Sequence, residues 1–473
     1  MRRIGKLETI SFITGFSLLT FELAAARILA PSIGSSTYVW TSVIGVIIAA
    51  LACGFWVGGK LADKRDHETD VVWLLGAAGF MVLTTLIFYP NVLETVVEIS
   101  NDVRLQGVAA AFVLFAPTSF LIGVTSPYLA KLNVRSLKTT GQHIASLDAL
   151  NSIGGIVGTF LTGFVLFGYV GSRQTFVIVA TLLIGVSWLI RPRYRLAERL
   201  TFTTVCLVII ATSLLTPNKT IDIDTASAHY QVRNYTYNQR PIVGLTTDPM
   251  GIQSGVFADG SSEPVFWYTR ELARLTLDRK PNKILIVGGG AFTLPQYLAD
   301  QLPESQIDVV EIDPGLKQIS EQYFHYKNPR NVRLVFNDAR AYLNQANHTY
   351  DAIIIDAYGN SSIPFQLITR EYVEALEKNL AQDGVVMANI IAGTYGPCLE
   401  VLEGINAAYQ SRFPYAYYSK ETGQPDSRTN LIVLYSHTPS ITPGMTSLQL
   451  QKQRPYTDNY APAERLYYAC EHV

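Results

Sequence analysis

The chain has 473 residues, with 37 Lys and Arg against 38 Asp and Glu and a formal net charge of −1. That balance excludes nucleic acid as its main partner, because there is no basic surplus to neutralise phosphates. Hydrophobic residues make up 48% of the chain. They are unevenly placed: before Pro217 charges sit in short clusters between long apolar runs, and after it they spread as in a globular domain.

Seven segments approach the roughly 20 apolar residues that a membrane helix needs: Ile10–Leu29, Tyr38–Val57, Val71–Tyr89, Val108–Leu129, Ala149–Val170, Thr175–Ile190 and Leu200–Leu215. The last two are short, and one of them reads equally as re-entrant or interfacial. The first is not a cleaved leader, since it holds Glu22 and Arg27 and runs into Pro31 without a small-residue cleavage pattern. Residues 1–217 are therefore expected to form a transmembrane helical bundle of about seven spans in a lipid bilayer, a multi-pass protein of the cell membrane.

Lys and Arg fall in alternate loops. Arg2, Arg3 and Lys6 precede the first span, Lys60, Lys64 and Arg65 follow the second, and Lys131, Arg135 and Lys138 follow the fourth. Arg191, Arg193, Arg195 and Arg199 follow the sixth, while the intervening loops hold only Arg104 and Arg173. The positive-inside rule places the N-terminus in the cytoplasm. With seven crossings the C-terminal half faces outward, and if the seventh segment does not cross it stays cytoplasmic.

GGKLADKR at Gly58–Arg65 looks like the G-x-L-A-D-R loop of major-facilitator transporters, and a basic topogenic loop is the plainer reading. Gly54/Gly58 and Gly154/Gly158 have the spacing for close helix approach. Glu22, Arg27 and Asp148 are ionisable residues within or beside spans, where buried charge is costly and invites a functional reading. Arg27 can instead snorkel, Asp148 can cap a helix start, and Glu22 can bond inside the bundle.

From Pro281 short apolar runs alternate with helix-length segments, the pattern of a parallel sheet covered on both faces. The strands are KILIVGGG (Lys283–Gly290), IDVVEID (Ile307–Asp313), VRLVFND (Val332–Asp338), YDAIIID (Tyr350–Asp356) and GVVMANII (Gly384–Ile391). RTNLIVLYS (Arg428–Ser436) reads as a late edge strand, and LPQYLADQL, GLKQISEQYF and REYVEALEKNL read as helices. Ligands of such sheets bind beyond the carboxyl ends of the strands. There Gly288, Gly289 and Gly290 allow close backbone approach, and Glu311, Asp338 and Asp356 end three successive strands. Helix capping at βα turns is the alternative use of those acids.

Of four cysteines, Cys53 and Cys206 lie in apolar runs. A Cys398–Cys470 bridge requires an oxidising compartment, and inert unpaired thiols are the alternative.

GGG, VVEID, NDAR and IIIDAY, in this order and spacing, resemble the spermidine synthase family, aminopropyltransferases on a class I methyltransferase-like (Rossmann-like) sheet. The resemblance covers about residues 222–470. HYQ at His229–Gln231 and FADGSSEPVFWYTRELAR at Phe257–Arg274 resemble that family's small β-domain and the segment leading into the sheet. This implies a small β-domain over 218–278 and an α/β domain over 279–473. A bundle with such a domain fused behind it, and TDNYAPAERL near the end, resembles the membrane-bound spermidine-synthase-like proteins of bacteria.

The resemblance implies a transferase moving propylamine from decarboxylated S-adenosylmethionine to an amine such as putrescine. Gly288–Gly290 would line the nucleoside site, Glu311 would hold ribose hydroxyls, Asp338 with Ala339 would meet the adenine, and Gln231 would close over the donor. Asp356 would accept the proton of the attacking amine, with Tyr358 beside it in the substrate-binding set. No metal and no tightly bound cofactor is implied, the donor being a co-substrate.

Two positions depart from the family. Its donor loop reads GGGDG where this chain has Ala291 and Phe292, and its catalytic loop reads D-S-x-D-P where this chain has Asp356, Ala357, Tyr358 and Gly359. Both missing carboxylates are cation grips, each worth about 1.5–3 kcal/mol. Phe292 and Tyr358 are open to cation–π contact or to plain aromatic packing. The alternatives are therefore an S-adenosylmethionine-dependent methyltransferase and a non-catalytic transporter or sensor that binds a nucleoside or polyamine. The oligomeric state stays open, a homo-oligomer included.

Overall fold

The computed structural model describes residues 5–65, 67–100, 102–134, 140–190, 193–215, 221–247, 251–345, 348–357, 364–423, 428–440, 442–451 and 453–471. The chain divides into two compact units, Met1–His229 and Tyr230–Val473.

The first unit is helical: α1 (Lys6–Ile33), α2 (Thr37–Lys64), α3 (Glu68–Ile99), α4 (Val103–Leu114), α5 (Ala116–Asn133), α6 (Thr140–Tyr169), α7 (Ser172–Ser187) and α8 (Leu196–Leu215), followed by strand β1 (Ile221–Asp224). Among the described residues α1, α2, α3 and α6 are long and apolar enough to cross a membrane, and α4 with α5 makes a fifth if that pair, bent by 53°, counts as one span. The bend sits beside Pro117, which lacks an N–H and whose ring crowds the preceding turn. The stretch around Thr175–Ile190 forms the shorter apolar helix α7.

Both glycine pairs lie where helices touch. A side chain at Gly154 or Gly158 would strike the carbonyls of Phe12 and Phe16 on α1, and one at Gly54 or Gly58 would strike the backbone of Phe120 and Val124 on α5. GGKLADKR is not a loop but the last turns of α2, which runs to Lys64, and Asp63 within it pairs with Lys131 at 3.1 Å. Asp148 is no cap: α6 begins at Thr140, so the exposed Asp148 stands inside the helix. Glu22 is half-buried on α1.

At one end of this bundle Arg27 donates to the carbonyls of Thr225 and Ala226 at 2.7 and 2.6 Å. Asp224 accepts from the Ser172 amide at 2.8 Å and its hydroxyl at 2.7 Å, capping α7. His229 is held between Asp224 (3.1 Å) and Asp222 (3.6 Å). Burial alone would lower the pKa of His229, but hydrogen bonds to the two carboxylates outweigh it and push the value up to about 9.

The second unit opens with an antiparallel meander, β2 (His229–Tyr237), β3 (Arg240–Thr246) and β4 (Ser254–Phe257), and helix α9 (Trp267–Arg279). The main sheet follows, with strands β5 (Lys283–Val287), β6 (Gln306–Glu311), β7 (Val332–Phe336), β8 (Tyr350–Ile355), β9 (Leu380–Ala392), β10 (Tyr415–Lys420), β11 (Thr429–Ser436) and β12 (Thr446–Ser447). Its order is β12-β10-β11-β9-β8-β5-β6-β7, parallel from β7 through β9 and antiparallel beyond.

Helices α10 (Thr293–Gln301), α11 (Gly315–Tyr323), α12 (Ala339–Gln345), α13 (Arg370–Lys378), α14 (Gly396–Gln410) and α15 (Ala463–Glu471) complete the unit. The central strands are apolar throughout because both faces are covered; Ile353, Ile354 and Ile355 are all fully buried. The expected edge strand Arg428–Ser436 is interior. It pairs with β9 on one side and with the tyrosine-rich β10 on the other, which explains its run of six buried residues.

Cys398 on α14 and Cys470 on α15 form a disulfide, and Cys53 and Cys206 are free. The bridge ties the last helix to the sheet-covering layer.

Candidate active site

The carboxyl ends of β5, β6, β7 and β8 open into a cavity of about 530 Å³. Gly288, Gly289, Gly290, Glu311, Asp338, Ala339 and Asp356 all line it. Sequence spacing placed these residues at successive strand ends, and the parallel register brings the ends together. Gly288 has φ +94°, and a side chain there would run into the Asp356 carbonyl, so the turn after β5 passes directly against the end of β8.

Glu311 is 7% exposed and accepts from the Gly289 amide at 2.7 Å and the Asp313 amide at 2.9 Å. Its carboxylate braces the glycine turn while standing in the cavity wall. Burial raises its pKa against the opposing pull of those amides. Asp338 accepts from the Ala341 amide at 2.8 Å, so it caps α12 and faces the cavity as well. Capping and ligand reception are thus compatible uses of one carboxylate.

Asp356 sits one residue beyond β8. Burial pushes its pKa up to about 6, against the opposing hydrogen bond from the Asn389 amide, which donates to Oδ1 at 2.9 Å. Tyr268 lies on the same side, donating to the Gln253 carbonyl at 2.7 Å, and burial with the charge of Asp356 keeps its phenol protonated. A carboxylate poised near neutrality, fixed on one oxygen and open to the cavity, suits it to take a proton from a bound group.

Other expected positions fall differently. Gln231 stands on β2 outside the cavity lining, its Oε1 accepting from Arg233 at 2.6 Å. Tyr358 lies outside the described residues. Ala291 and Phe292 are fully buried, with the Phe292 ring 5.1 Å from that of Tyr326. Phe292 therefore packs the core and is no substitute for the missing acid.

Sequence reasoning missed Asn389, Gln253, Tyr237, Glu421 and Arg428, which also line the cavity. Asn389 carried a signal, a single amide within the apolar run of a strand covered on both faces. Glu421 and Arg428 follow β10 and precede β11, and nothing local in the sequence marks them.

Residues 265–419 match the spermine/spermidine synthase domain. The chain is 33% identical over 207 residues to a polyamine aminopropyltransferase of Vibrio vulnificus, covering 43% of this chain and 66% of that protein. It is 35% identical over 163 residues to a putrescine N-methyltransferase of Nicotiana tabacum, covering 30% of this chain and 46% of that one. A probable spermidine synthase of Corynebacterium glutamicum superposes with a TM-score of 0.41 at 22% identity, over 48% of this chain and 83% of that structure. The chain thus spans just under two thirds of the first relative and under half of the second.

Proposed function

We propose, taking residues 265–419 as a spermine/spermidine synthase domain fused to an N-terminal helical region, that the second unit transfers an aminopropyl group from decarboxylated S-adenosylmethionine to an amine. One observation carries this reading: Asp356 lies recessed in a cavity that also holds the glycine turn, Glu311 and Asp338, with its pKa pushed up to about 6.

The roles follow from that placement. Gly288–Gly290 let the donor's nucleoside approach the backbone, Glu311 receives its ribose hydroxyls, and Asp338 with Ala339 meets the base. The acceptor nitrogen attacks the propyl carbon bonded to sulfur. The carbon–nitrogen bond forms as the carbon–sulfur bond breaks, its electron pair passes to sulfur, and methylthioadenosine leaves as a neutral thioether. Asp356 takes the proton released from nitrogen, so the amine need not lose it to water first.

Purified full-length protein incubated with the decarboxylated donor and a panel of amines is expected to release methylthioadenosine. No release with any amine sinks the proposal. Methyl transfer is the second reading, favoured by the likeness to the tobacco methyltransferase and by Ala291 standing where the family has a donor-gripping acid. Release of S-adenosylhomocysteine from the carboxylated donor, without methylthioadenosine from the other, selects it.

The first unit is proposed to cross the bilayer seven times, with the N-terminus in the cytoplasm and the second unit outward. Two independent features support that side: Lys and Arg alternate between loops, and Cys398–Cys470 forms a disulfide, which persists in oxidising compartments. Surface cysteines introduced into the second unit should react with an impermeant maleimide in intact cells. Protection until lysis places the unit in the cytoplasm.

A further inference from the structure

Two short stretches far apart in sequence line the cavity: Asp338 and Ala339 where α12 begins, and Pro364, Gln366 and Leu367 in the turn before α13. The first is placed by the sheet, since β7 ends at Phe336 and leads straight into it. The second is reached only after the chain has left β8 at Ile355, so contacts with other segments place it. Leu367 is buried in the core and anchors its apolar side.

The polar side of that turn is held by an ion pair outside the cavity. Arg340, next in sequence to Ala339, donates through Nη1 to Asp458 Oδ1 at 2.7 Å and through Nη2 to Oδ2 at 2.6 Å. That is the two-bond fork of a guanidinium on a carboxylate, which fixes direction as well as distance. The same Nη1 lies 3.5 Å from the Gln366 carbonyl.

Asp458 is tied to α13 as well. Its Oδ1 accepts from the hydroxyl of the fully buried Thr369 at 2.8 Å, and its amide donates to the Glu371 carboxylate at 3.1 Å. The Arg370 amide donates to the Tyr456 carbonyl at 2.9 Å. Tyr456–Asp458 thus joins the first turn of α12 to the first turn of α13.

This segment is itself anchored. Tyr456 is buried, and its ring fills the space that a side chain at Gly404 of α14 would take. Thr457 and Tyr460 exchange backbone hydrogen bonds of 3.0 and 2.9 Å, closing the turn that carries Asp458. A lone surface ion pair contributes little, because two flexible side chains must be ordered to make it. Here the backbone has already ordered the carboxylate, so the pair sets where α12 and the Gln366 turn stand.

We infer that Arg340 and Asp458 are positioning residues for the nucleoside. Neither lines the cavity, and together they fix the separation between Asp338–Ala339 and the Pro364–Leu367 turn. This rests on the reading that gives the base to Asp338 and Ala339.

The test measures binding of methylthioadenosine and of S-adenosylhomocysteine, which share the adenosine, to detergent-purified full-length protein by calorimetry. Asp458→Asn, which keeps the shape and removes the charge, and Arg340→Gln are each expected to raise both Kd values about tenfold, the scale on which a small misplacement acts. Arg340→Lys, which keeps the charge, should recover part of the loss. The double variant should bind no more weakly than the worse single one, because both break the same link. In turnover the KM for the decarboxylated donor should rise while kcat changes less than twofold. A pair serving only stability would lower the melting temperature and leave the Kd of the folded protein unchanged. That result in either folded variant, losses that add in the double variant, or a fall in kcat without a rise in KM overturns the inference and leaves the nucleoside site standing. Binding of neither compound by the unaltered protein overturns both.

Discussion

Replacing Asn389 by Leu tests whether Asp356 is the proton acceptor. The Asn389 amide holds Asp356 Oδ1 at 2.9 Å and stabilises its ionised form, against the burial that pushes its pKa up to about 6. A hydrogen bond to a charged group is worth about 1.5–3 kcal/mol, and at 1.36 kcal/mol per unit its loss raises the pKa by about 1–2 units. The acid limb of kcat/KM, near pH 6 in the unaltered protein, should then move to roughly pH 7–8. At pH 7 the ionised fraction falls from about 90% to between about 50% and 10%, so the rate drops roughly two- to tenfold. Near pH 9 most of that loss should return, because Asp356 is ionised in both proteins. Methylthioadenosine release measured from pH 5 to 9 reads the limb directly. A limb that stays at pH 6, or moves downward, refutes the assignment of Asp356, as does an Asp356→Asn protein that keeps its full rate.

Gly288→Ala should abolish release and lower the melting temperature, since φ +94° strains any side chain and the added methyl meets the Asp356 carbonyl; an active, equally stable variant would contradict the described turn. Reducing Cys398–Cys470, or replacing both cysteines by Ser, should cost ~2–4 kcal/mol in denaturant unfolding of the second unit's transition, given the 72-residue separation. Unchanged unfolding would mean that the last helix is held without it. The His229 clamp should make the first unit pH-sensitive. Its pKa rises from 6.5 to about 9 on folding, so its stabilisation, at most roughly 3 kcal/mol, is complete below the unfolded value and vanishes as pH climbs through the folded one. Thermal unfolding of the full chain between pH 6 and 10 should show that loss, His229→Gln should flatten it, and parallel curves would reject the clamp.

The strand-end constellation was legible because it is local. In a parallel sheet every strand points the same way, so a glycine turn and three acids that each follow an apolar run must meet at one edge. The resemblance of GGG, VVEID, NDAR and IIIDAY to the spermidine synthases then anticipated the domain match over residues 265–419. Apolar length and glycine spacing likewise announced the helices of the first unit and their close contacts, since both depend on composition within a few turns.

Other features depended on segments far apart in the chain. That Phe292 packs on Tyr326 rather than facing a ligand followed from the fold of the loop, where its φ of +53° turns the ring inward. The interior place of β11 required β10, whose mixed tyrosine and polar pattern does not announce a strand. Cys398–Cys470 was visible as a candidate pair beside the alternative of unpaired thiols, and the choice between them depended on two helices whose cysteines are separated by 72 positions. Arg428 lines the cavity and donates to Tyr467, a partner 39 positions away that its own stretch of sequence does not announce. Sequence thus determined the glycine turn and the three strand-end acids through local spacing, whereas the place of Glu421 and Arg428 in the same cavity lining was decided by tertiary packing, because they come from loop positions whose convergence no periodicity encodes.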